Sequence, residues 1–134
     1  MGSLLIVEDD RRQRLLLREE LQEEGYTVRA AANATEALAK VSATMPDLVV
    51  LDLGMPGMDG IELLGKLLGI NKRLPVVIYT AYSGYRDNFM SWAADAYVLK
   101  QSHLGELKAR IREVLDSRGV AARRAATELQ LSSA

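Results

Sequence analysis

A chain of 134 residues, 49% of them hydrophobic and 26% charged, has the length of one domain and enough apolar material for a buried core. Its net charge of −1, with lysine and arginine spread along the chain, argues against direct binding to nucleic acid or to an anionic membrane. The sequence has no cysteine, no apolar run of the ~18 residues that a membrane span needs and no secretory pattern, so we expect a cytoplasmic protein.

Five short runs rich in valine, isoleucine and leucine alternate with longer segments of helical period, which is the pattern of βα units. The predicted strands cover residues 4–7, 26–30, 48–51, 76–79 and 96–99. Three of these runs are apolar nearly throughout, so helices should cover both faces of the sheet. The pattern predicts an α/β fold with a doubly wound parallel sheet, for which 2-1-3-4-5 is one common strand order.

Capping residues and apolar spacing predict where the first two helices lie. The first helix is expected over residues 11–24, with Gly25 just past its end as a C-cap. Its apolar stripe is predicted to consist of Leu15, Leu16 and Leu21. Asn33, with Glu36 three residues later, forms a capping box that should begin the second helix.

Three more helices are predicted after the third, fourth and fifth strands. The third follows an Asp-Gly pair, and its apolar residues are Ile61, Leu64, Leu67 and Leu68. A short fourth helix is expected around residues 86–94, and the fifth follows Ser102 and stops at Gly119. We therefore expect one domain over residues 3–118 and a C-terminal tail or linker stub over residues 119–134.

Polar residues follow four of the strands, at the ends where parallel strands meet one edge of the sheet. They are Glu8, Asp9, Asp10, Asp52, Thr80 and Lys100. Ligands of open α/β sheets bind outside these ends where the strand order reverses, here between the first and third strands. Acidic groups in a partly dry crevice need a counter-charge, and all-oxygen ligands point to Mg²⁺ or a similar hard cation. Asp10 is better explained as the N-cap of the first helix, and Asp59 as a turn residue.

The residues at this edge favour one kind of chemistry. The sequence offers no Ser-His or Cys-His pair and no glycine-rich phosphate loop, so a carboxylate is the available nucleophile. An aspartate can attack phosphorus and form an acyl phosphate when a metal ion and a cation neutralise the phosphoryl oxygens. Asp52 would be the nucleophile, Lys100 the cation and Thr80 a hydrogen-bond donor to a phosphoryl oxygen.

Four motifs occur in one order along the chain: VEDD at 7–10, DLGMPGMDG at 52–60, YTA at 79–81 and AYVLK at 96–100. Together they resemble the ordered signatures of bacterial response-regulator receiver domains. The resemblance implies a flavodoxin-like fold and dependence on Mg²⁺. It also implies phosphoryl transfer from a histidine kinase or a histidine phosphotransfer protein.

The resemblance implies a role for each residue at this edge. Asp52 is the phosphoryl acceptor, and Lys100 takes the phosphate-binding place. The implied metal ligands are Glu8, Asp9, Asp52 and the carbonyl of Gly54. Thr80 and Tyr97 form the switch pair, which alters the surface of the fourth helix, fifth strand and fifth helix. A partner, or a second copy of the chain in a homodimer, would dock on that surface.

The chain departs from the family pattern in three respects. Glu8 stands where aspartate is commoner, and Gln101 replaces the proline that usually follows the lysine. Gly54 and Tyr82 occupy two positions that tend to set the lifetime of the acyl phosphate in this family. Because a cis bond costs ~2.5–4 kcal/mol where no proline follows, we expect a trans bond between Lys100 and Gln101.

Two other functions fit parts of the sequence. One is an interaction module on the same fold that works without phosphorylation, and Gln101 is its best support. The other is a phosphohydrolase, which is disfavoured because Gly54 stands where such an enzyme would carry a second aspartate, so we do not expect a turnover enzyme. Taken singly, Asp52 could be a helix cap, Lys100 a structural ion-pair partner and Tyr97 a packing residue.

Overall fold

A computed structural model describes residues 2–54, 60–81, 93–100 and 103–119 of the chain. In these ranges the strands are β1 (Ser3–Val7), β2 (Thr27–Ala31), β3 (Leu48–Leu51), β4 (Val76–Thr80) and β5 (Ala96–Leu99). The helices are α1 (Arg11–Glu23), α2 (Ala34–Ala43), α3 (Gly60–Ile70) and α4 (Leu104–Ser117).

Some sequence predictions fall outside the described residues. The predicted fourth helix lies mostly on residues 82–92, which are not among them, so α4 is the helix predicted as the fifth. Tyr82, Ser102, the Lys100–Gln101 peptide bond and the tail from residue 120 onward also lie outside. Within the described ranges, no helix is both long enough and apolar enough to cross a membrane.

The five strands form one parallel sheet of order β2-β1-β3-β4-β5, which confirms the predicted doubly wound α/β fold. The register pairs Val7 at the end of β1 with Leu51 at the end of β3. It also pairs Thr80 at the end of β4 with Leu99 at the end of β5. Polar residues end or directly follow four of these strands, β1, β3, β4 and β5. Because the sheet is parallel, the carboxyl ends of these strands lie at one edge of it.

Helices cover both faces of the sheet because the strand side chains alternate between two apolar clusters. On one face, Leu4 and Ile6 of β1 pack with residues of α1 and α4. On the other face, Leu5 and Val7 of the same strand pack with residues of α2 and α3. Each strand thus serves two cores, which is why its sequence is apolar at almost every position.

The capping signals that the sequence gives for α1 and α2 are confirmed. The side chain of Asp10 accepts a hydrogen bond from the backbone N–H of Gln13, and the side chain of Asn33 accepts one from that of Glu36. Gly25 follows α1 with φ at 100°, a left-handed conformation that glycine adopts without a Cβ clash. Asp10 is therefore a helix cap, as its position predicts.

The predicted apolar stripe of α1 is wrong at two of its three positions. Leu15 and Leu16 are 47% and 48% exposed, whereas Leu17 and Leu21 are buried against the sheet. Leu17 and Leu21 are four residues apart and therefore lie on one side of the helix. The three consecutive leucines at 15–17 fit more than one helical face, and packing against the sheet selects Leu17.

The observed buried face of α1 predicts that alanine substitutions at two neighbouring leucines differ greatly in their effect on stability. Leu17→Ala should lower the free energy of unfolding by ~2–5 kcal/mol, because it leaves a cavity between α1 and the sheet. The matched control, Leu16→Ala, should change it by no more than about 0.5 kcal/mol. Urea denaturation of both variants checks this, and equal losses would contradict the assignment of the buried face.

In α3, the buried apolar residues are Leu63, Leu64 and Leu67. The sequence predicts Leu64 and Leu67 correctly but does not include Leu63. The other two predicted residues, Ile61 and Leu68, are partly buried against the same cluster. The side of α3 that faces the core is thus rotated toward Leu63 relative to the predicted side.

Candidate functional site

Backbone hydrogen bonds between strand ends fix the polar residues that follow them. The N–H of Glu8 donates to the carbonyl of Ala31 at 3.0 Å, which ties the chain after β1 to the end of β2. The N–H of Asp52 donates to the carbonyl of Val7 at 3.1 Å, and that of Lys100 to the carbonyl of Thr80 at 2.9 Å. The sheet therefore places residues that are far apart in sequence at one edge.

The ammonium group of Lys100 lies at the centre of this edge. It contacts Glu8 Oε1 at 2.5 Å and Asp52 Oδ2 at 3.0 Å, and both pairs are largely shielded from solvent. A third contact, at 2.6 Å, joins it to the side-chain oxygen of Gln13 in the first turn of α1. An ammonium has three N–H donors, so these contacts can use all of them.

Three carboxylates gather beside this lysine. Glu8, Asp9 and Asp52 offer oxygens that all lie within 4.8 Å of one another. Glu8 and Asp52 are only 1% and 8% exposed, whereas Asp9 is exposed and gives the cluster an opening to solvent. One lysine cannot neutralise three carboxylates, so a further positive charge at the cluster would be stabilising.

The arrangement fits a hard divalent cation. Glu8 Oε2 is buried and has no hydrogen-bond partner among the described residues. Leaving a buried carboxylate oxygen unsatisfied costs free energy, which a proton or a metal ion at that oxygen would recover. Because all the available ligands are oxygens and one side is open to water, the residues suit a partly hydrated ion such as Mg²⁺.

Burial and neighbouring charges shift the pKa values of these groups apart. Burial, together with the neighbouring Asp52 carboxylate, raises the pKa of Glu8 to about 7, although Lys100 opposes the rise. Burial would also raise the pKa of Asp52, but the neighbouring Glu8 carboxyl and the hydrogen bonds that Gly54 and Lys100 donate to Asp52 hold it below its usual value. A proton on this pair therefore favours Glu8, and Asp52 is the carboxylate that stays ionised.

The loop after Asp52 also shapes the site. The backbone N–H of Gly54 donates to Asp52 Oδ1 at 3.0 Å, which fixes the second oxygen of that carboxylate. The implied role of Gly54 concerns its carbonyl as a metal ligand, and that role stays a prediction. At Gly60, the first residue of α3, a Cβ would lie 2.4 Å from the Cα of Leu53. The helix can approach the loop this closely only because residue 60 has no side chain.

This close approach predicts opposite effects for two glycines of α3. Gly60→Ala should lower the free energy of unfolding by ~1–3 kcal/mol and weaken Mg²⁺ binding, because the backbone of Leu53 must move. In the control Gly69→Ala, the added Cβ meets nothing within 4 Å, and the better helix former should stabilise α3 by ~0.5–1 kcal/mol. Denaturation and Mg²⁺ titration of both variants test the pair; a stable Gly60→Ala with normal Mg²⁺ affinity would refute it.

The predicted switch residues lie on one face of the sheet. Val76 and Ile78 of β4 belong to the cluster under α2 and α3, and strand alternation places Thr80 on that same face. Tyr97 of β5 packs against this cluster and is half-buried, whereas Thr80 is fully buried. A shared face is what a paired movement would require, and the switch role itself stays a prediction.

Two residues of this site escape sequence reasoning. Gln13 contacts Lys100, as described above, and Arg14 donates from one guanidinium nitrogen to the carbonyls of Glu8 and Asp9 at 2.9 and 3.1 Å. Both lie in the first turn of α1, whose N-cap is Asp10. Their position next to the acidic run is visible in the sequence, but a polar residue in a first helical turn is too common to single out.

Fold and site together define a flavodoxin-like α/β domain that presents an acidic, lysine-bridged cluster at the sheet edge. The family model of the response regulator receiver domain matches residues 4–112. The chain therefore belongs to the response-regulator receiver family, which confirms the resemblance read from its four motifs.

Curated relatives agree with this membership. The chain is 41% identical over 115 residues to the two-component response regulator PhoP of Pseudomonas aeruginosa, covering 84% of this chain and 51% of that protein. It is 38% identical over 114 residues to response regulator MprA of Mycobacterium tuberculosis, covering 84% and 50%. The chain thus spans about half the length of these relatives.

Solved structures show the same fold. Response regulator TrrA of Thermotoga maritima, solved in complex with Mg²⁺-BeF, is 44% identical with a TM-score of 0.81, covering 86% of this chain and 100% of that one. A chain of the complex between histidine kinase ThkA and TrrA is likewise 44% identical, with a TM-score of 0.79 and coverage of 86% and 99%. A CheY-like receiver domain of Methanospirillum hungatei is 32% identical with a TM-score of 0.84, covering 90% and 98%.

Proposed function

We propose that this domain receives a phosphoryl group on Asp52 from a phosphohistidine of a histidine kinase or phosphotransfer protein, and that it signals through the resulting change of surface. The observation that carries the proposal is the contact of Asp52 with both Lys100 and the acidic cluster. Among the described residues of the cluster, Asp52 is the carboxylate whose pKa is lowered and whose two oxygens are both held by hydrogen bonds. Similarity to a regulator solved with Mg²⁺-BeF and with a histidine kinase supports it.

The transfer step is a displacement at phosphorus. An oxygen of the Asp52 carboxylate forms a bond to phosphorus while the bond from phosphorus to the imidazole nitrogen of the donor breaks. The electron pair of that bond goes to the imidazole, which takes up a proton. Lys100, already in contact with Asp52, would pass its hydrogen bond to a phosphoryl oxygen, and the Thr80 hydroxyl would donate a second.

Glu8, Asp9 and Asp52 would hold the metal ion, with the Gly54 carbonyl as a fourth protein ligand and water completing the shell. Bound Mg²⁺ would neutralise charge on the phosphoryl oxygens as they transfer. We propose that Asp9→Ala weakens Mg²⁺ binding at least tenfold, since it removes a carboxylate ligand, without disturbing Glu8 or the fold. Isothermal titration and circular dichroism check this; unchanged affinity would exclude Asp9 as a ligand.

Thr80 and Tyr97 provide the proposed route from the site to the surface. Once phosphorylated Asp52 draws the Thr80 hydroxyl toward it, Tyr97 would turn inward and alter the face formed by β5 and its flanking helices. A partner or a second copy of the chain would respond to that face. The protein would act as a receiver, with at most slow loss of its own phosphoryl group, rather than as a turnover enzyme.

Incubation with acetyl phosphate and Mg²⁺, followed by intact mass, tests the proposal. We expect a gain of one phosphoryl group that persists after the donor is removed and that does not occur when the metal is chelated. No gain would favour the phosphorylation-independent interaction module instead. Continuous consumption of acetyl phosphate without a stable phosphorylated form would favour a phosphohydrolase.

A further inference from the structure

The contact between Gln13 and Lys100 joins the first turn of α1 to the residue that follows β5. The amide oxygen of Gln13 lies 2.6 Å from the Lys100 ammonium, although the two residues are 87 positions apart. Gln13 is exposed, so water could satisfy its amide without this contact. Its side chain nevertheless reaches over the site and provides the third acceptor of the lysine.

The three acceptors of Lys100 differ in what happens to them during phosphoryl transfer. Asp52 is the group that reacts, and Glu8 belongs to the carboxylate cluster that would hold the metal ion. Both of these contacts must therefore change in strength or geometry as the site fills. Gln13 is neutral, is not part of the cluster and undergoes no chemical change, so its contact alone can stay constant.

The first turn of α1 holds Gln13 firmly in place. Its backbone N–H donates to the side chain of Asp10 at 2.9 Å, which caps the helix. The neighbouring Arg14 donates to the carbonyls of Glu8 and Asp9 and so ties the same turn to the acidic run. Because the backbone of this turn is already fixed, only the Gln13 side chain itself must be ordered for its amide to hold the lysine.

We propose that Gln13 is a positioning residue, which keeps the Lys100 ammonium aimed at Asp52 before, during and after phosphoryl transfer. This proposal rests on the proposed function and adds to it the residue that aligns Lys100. Gln13 acts through Lys100 and need not touch the phosphoryl group. Its effect should therefore appear in the rate of transfer and not in the affinity for the metal.

Gln13→Met tests this role, because methionine keeps the length and helix propensity of glutamine but lacks its strong acceptor. We expect phosphorylation by acetyl phosphate at saturating Mg²⁺ to slow roughly three- to tenfold, the range that one net hydrogen bond supplies. The half-saturating Mg²⁺ concentration should stay within about twofold of wild type, because Gln13 is not part of the carboxylate cluster. Gln22→Met, the same change at an exposed position of α1, is the matched control and should leave the rate unchanged.

A second measurement observes the contact without phosphorylation. The Lys100 ammonium signal in ¹H–¹⁵N spectra should be protected from exchange in wild type, lost or shifted in Gln13→Met, and restored in Gln13→Glu, which retains an oxygen acceptor. An unchanged signal together with an unchanged rate in Gln13→Met would overturn the inference and leave the proposed function intact. If wild type itself gained no phosphoryl group, the proposed function would fail and the inference with it.

Discussion

Asp52→Asn is expected to abolish phosphoryl gain completely. The substitution keeps the shape of the side chain and its hydrogen bond from Gly54, but the neutral amide is not a nucleophile toward phosphorus. No other carboxylate of the cluster is held in the same way: Asp9 is exposed, and one oxygen of Glu8 has no hydrogen-bond partner among the described residues. Intact mass after incubation with acetyl phosphate and Mg²⁺ should therefore show no adduct.

The matched control for this variant is Asp10→Asn. Asp10 is adjacent to the acidic run in sequence, yet its side chain caps α1 by accepting from Gln13. Asparagine is an equally good N-cap, so this variant should keep both its fold and its phosphorylation. A phosphoryl adduct on the Asp52→Asn protein at the wild-type rate, or loss of the adduct in Asp10→Asn, would show that the nucleophile has been assigned to the wrong aspartate.

The strands and helix caps could be predicted because their signals are local. Two of the five strands, Leu48–Leu51 and Ala96–Leu99, match their predictions residue for residue, since each apolar run stops at a polar or charged residue. Asp10 and Asn33 were identifiable as caps because a cap acts on a backbone N–H only three residues away. The candidate site followed from the rule that ligands gather at the carboxyl ends of parallel strands.

Features that depend on tertiary contacts were missed or mistaken. The buried face of α1 could not be read from three consecutive leucines, because the choice of Leu17 is made by the sheet beneath it. The contact of Gln13 with Lys100 could not be predicted because the two residues are 87 positions apart and nothing in a first helical turn marks one glutamine as special. The unpartnered oxygen of Glu8 likewise appears only once burial is known.

Lys100→Met is expected to lower the free energy of unfolding by ~3 kcal/mol above neutral pH, because it leaves Glu8 and Asp52 without their counter-charge. Methionine keeps the length of the lysine stem but removes the ammonium, which lies 5.8 Å from the centroid of the Tyr79 ring. In the control Lys66→Met, an exposed pair with Glu62 is lost, and the change should stay below about 0.5 kcal/mol.

The pH dependence of the stability lost in Lys100→Met distinguishes the loss of a counter-charge from the loss of packing. In the folded wild-type protein the pKa of Glu8 is raised from 4.5 to about 7, so between these values the folded state binds more protons than the unfolded state. The contribution of Glu8 to stability therefore increases as pH falls through this window and is lost as pH rises through it. Lys100 lowers the pKa of Glu8, so its removal should extend the window upward and increase the total change in stability across it.

Two conditions should then restore the stability of Lys100→Met. Lowering the pH toward 5 protonates Glu8, and adding Mg²⁺ at neutral pH supplies positive charge to the same oxygens. In wild type Asp52 acts in the opposite direction, and its lowered pKa confines that effect to pH values below its usual value of 3.8; Lys100→Met removes one of the groups that lower this pKa. Denaturation of wild type and variant at pH 5 and pH 8, each with Mg²⁺ and with chelator, measures how pH and Mg²⁺ change the loss of stability. A loss that is equal under all four conditions would mean that Lys100 acts through packing and not as the counter-charge of the site.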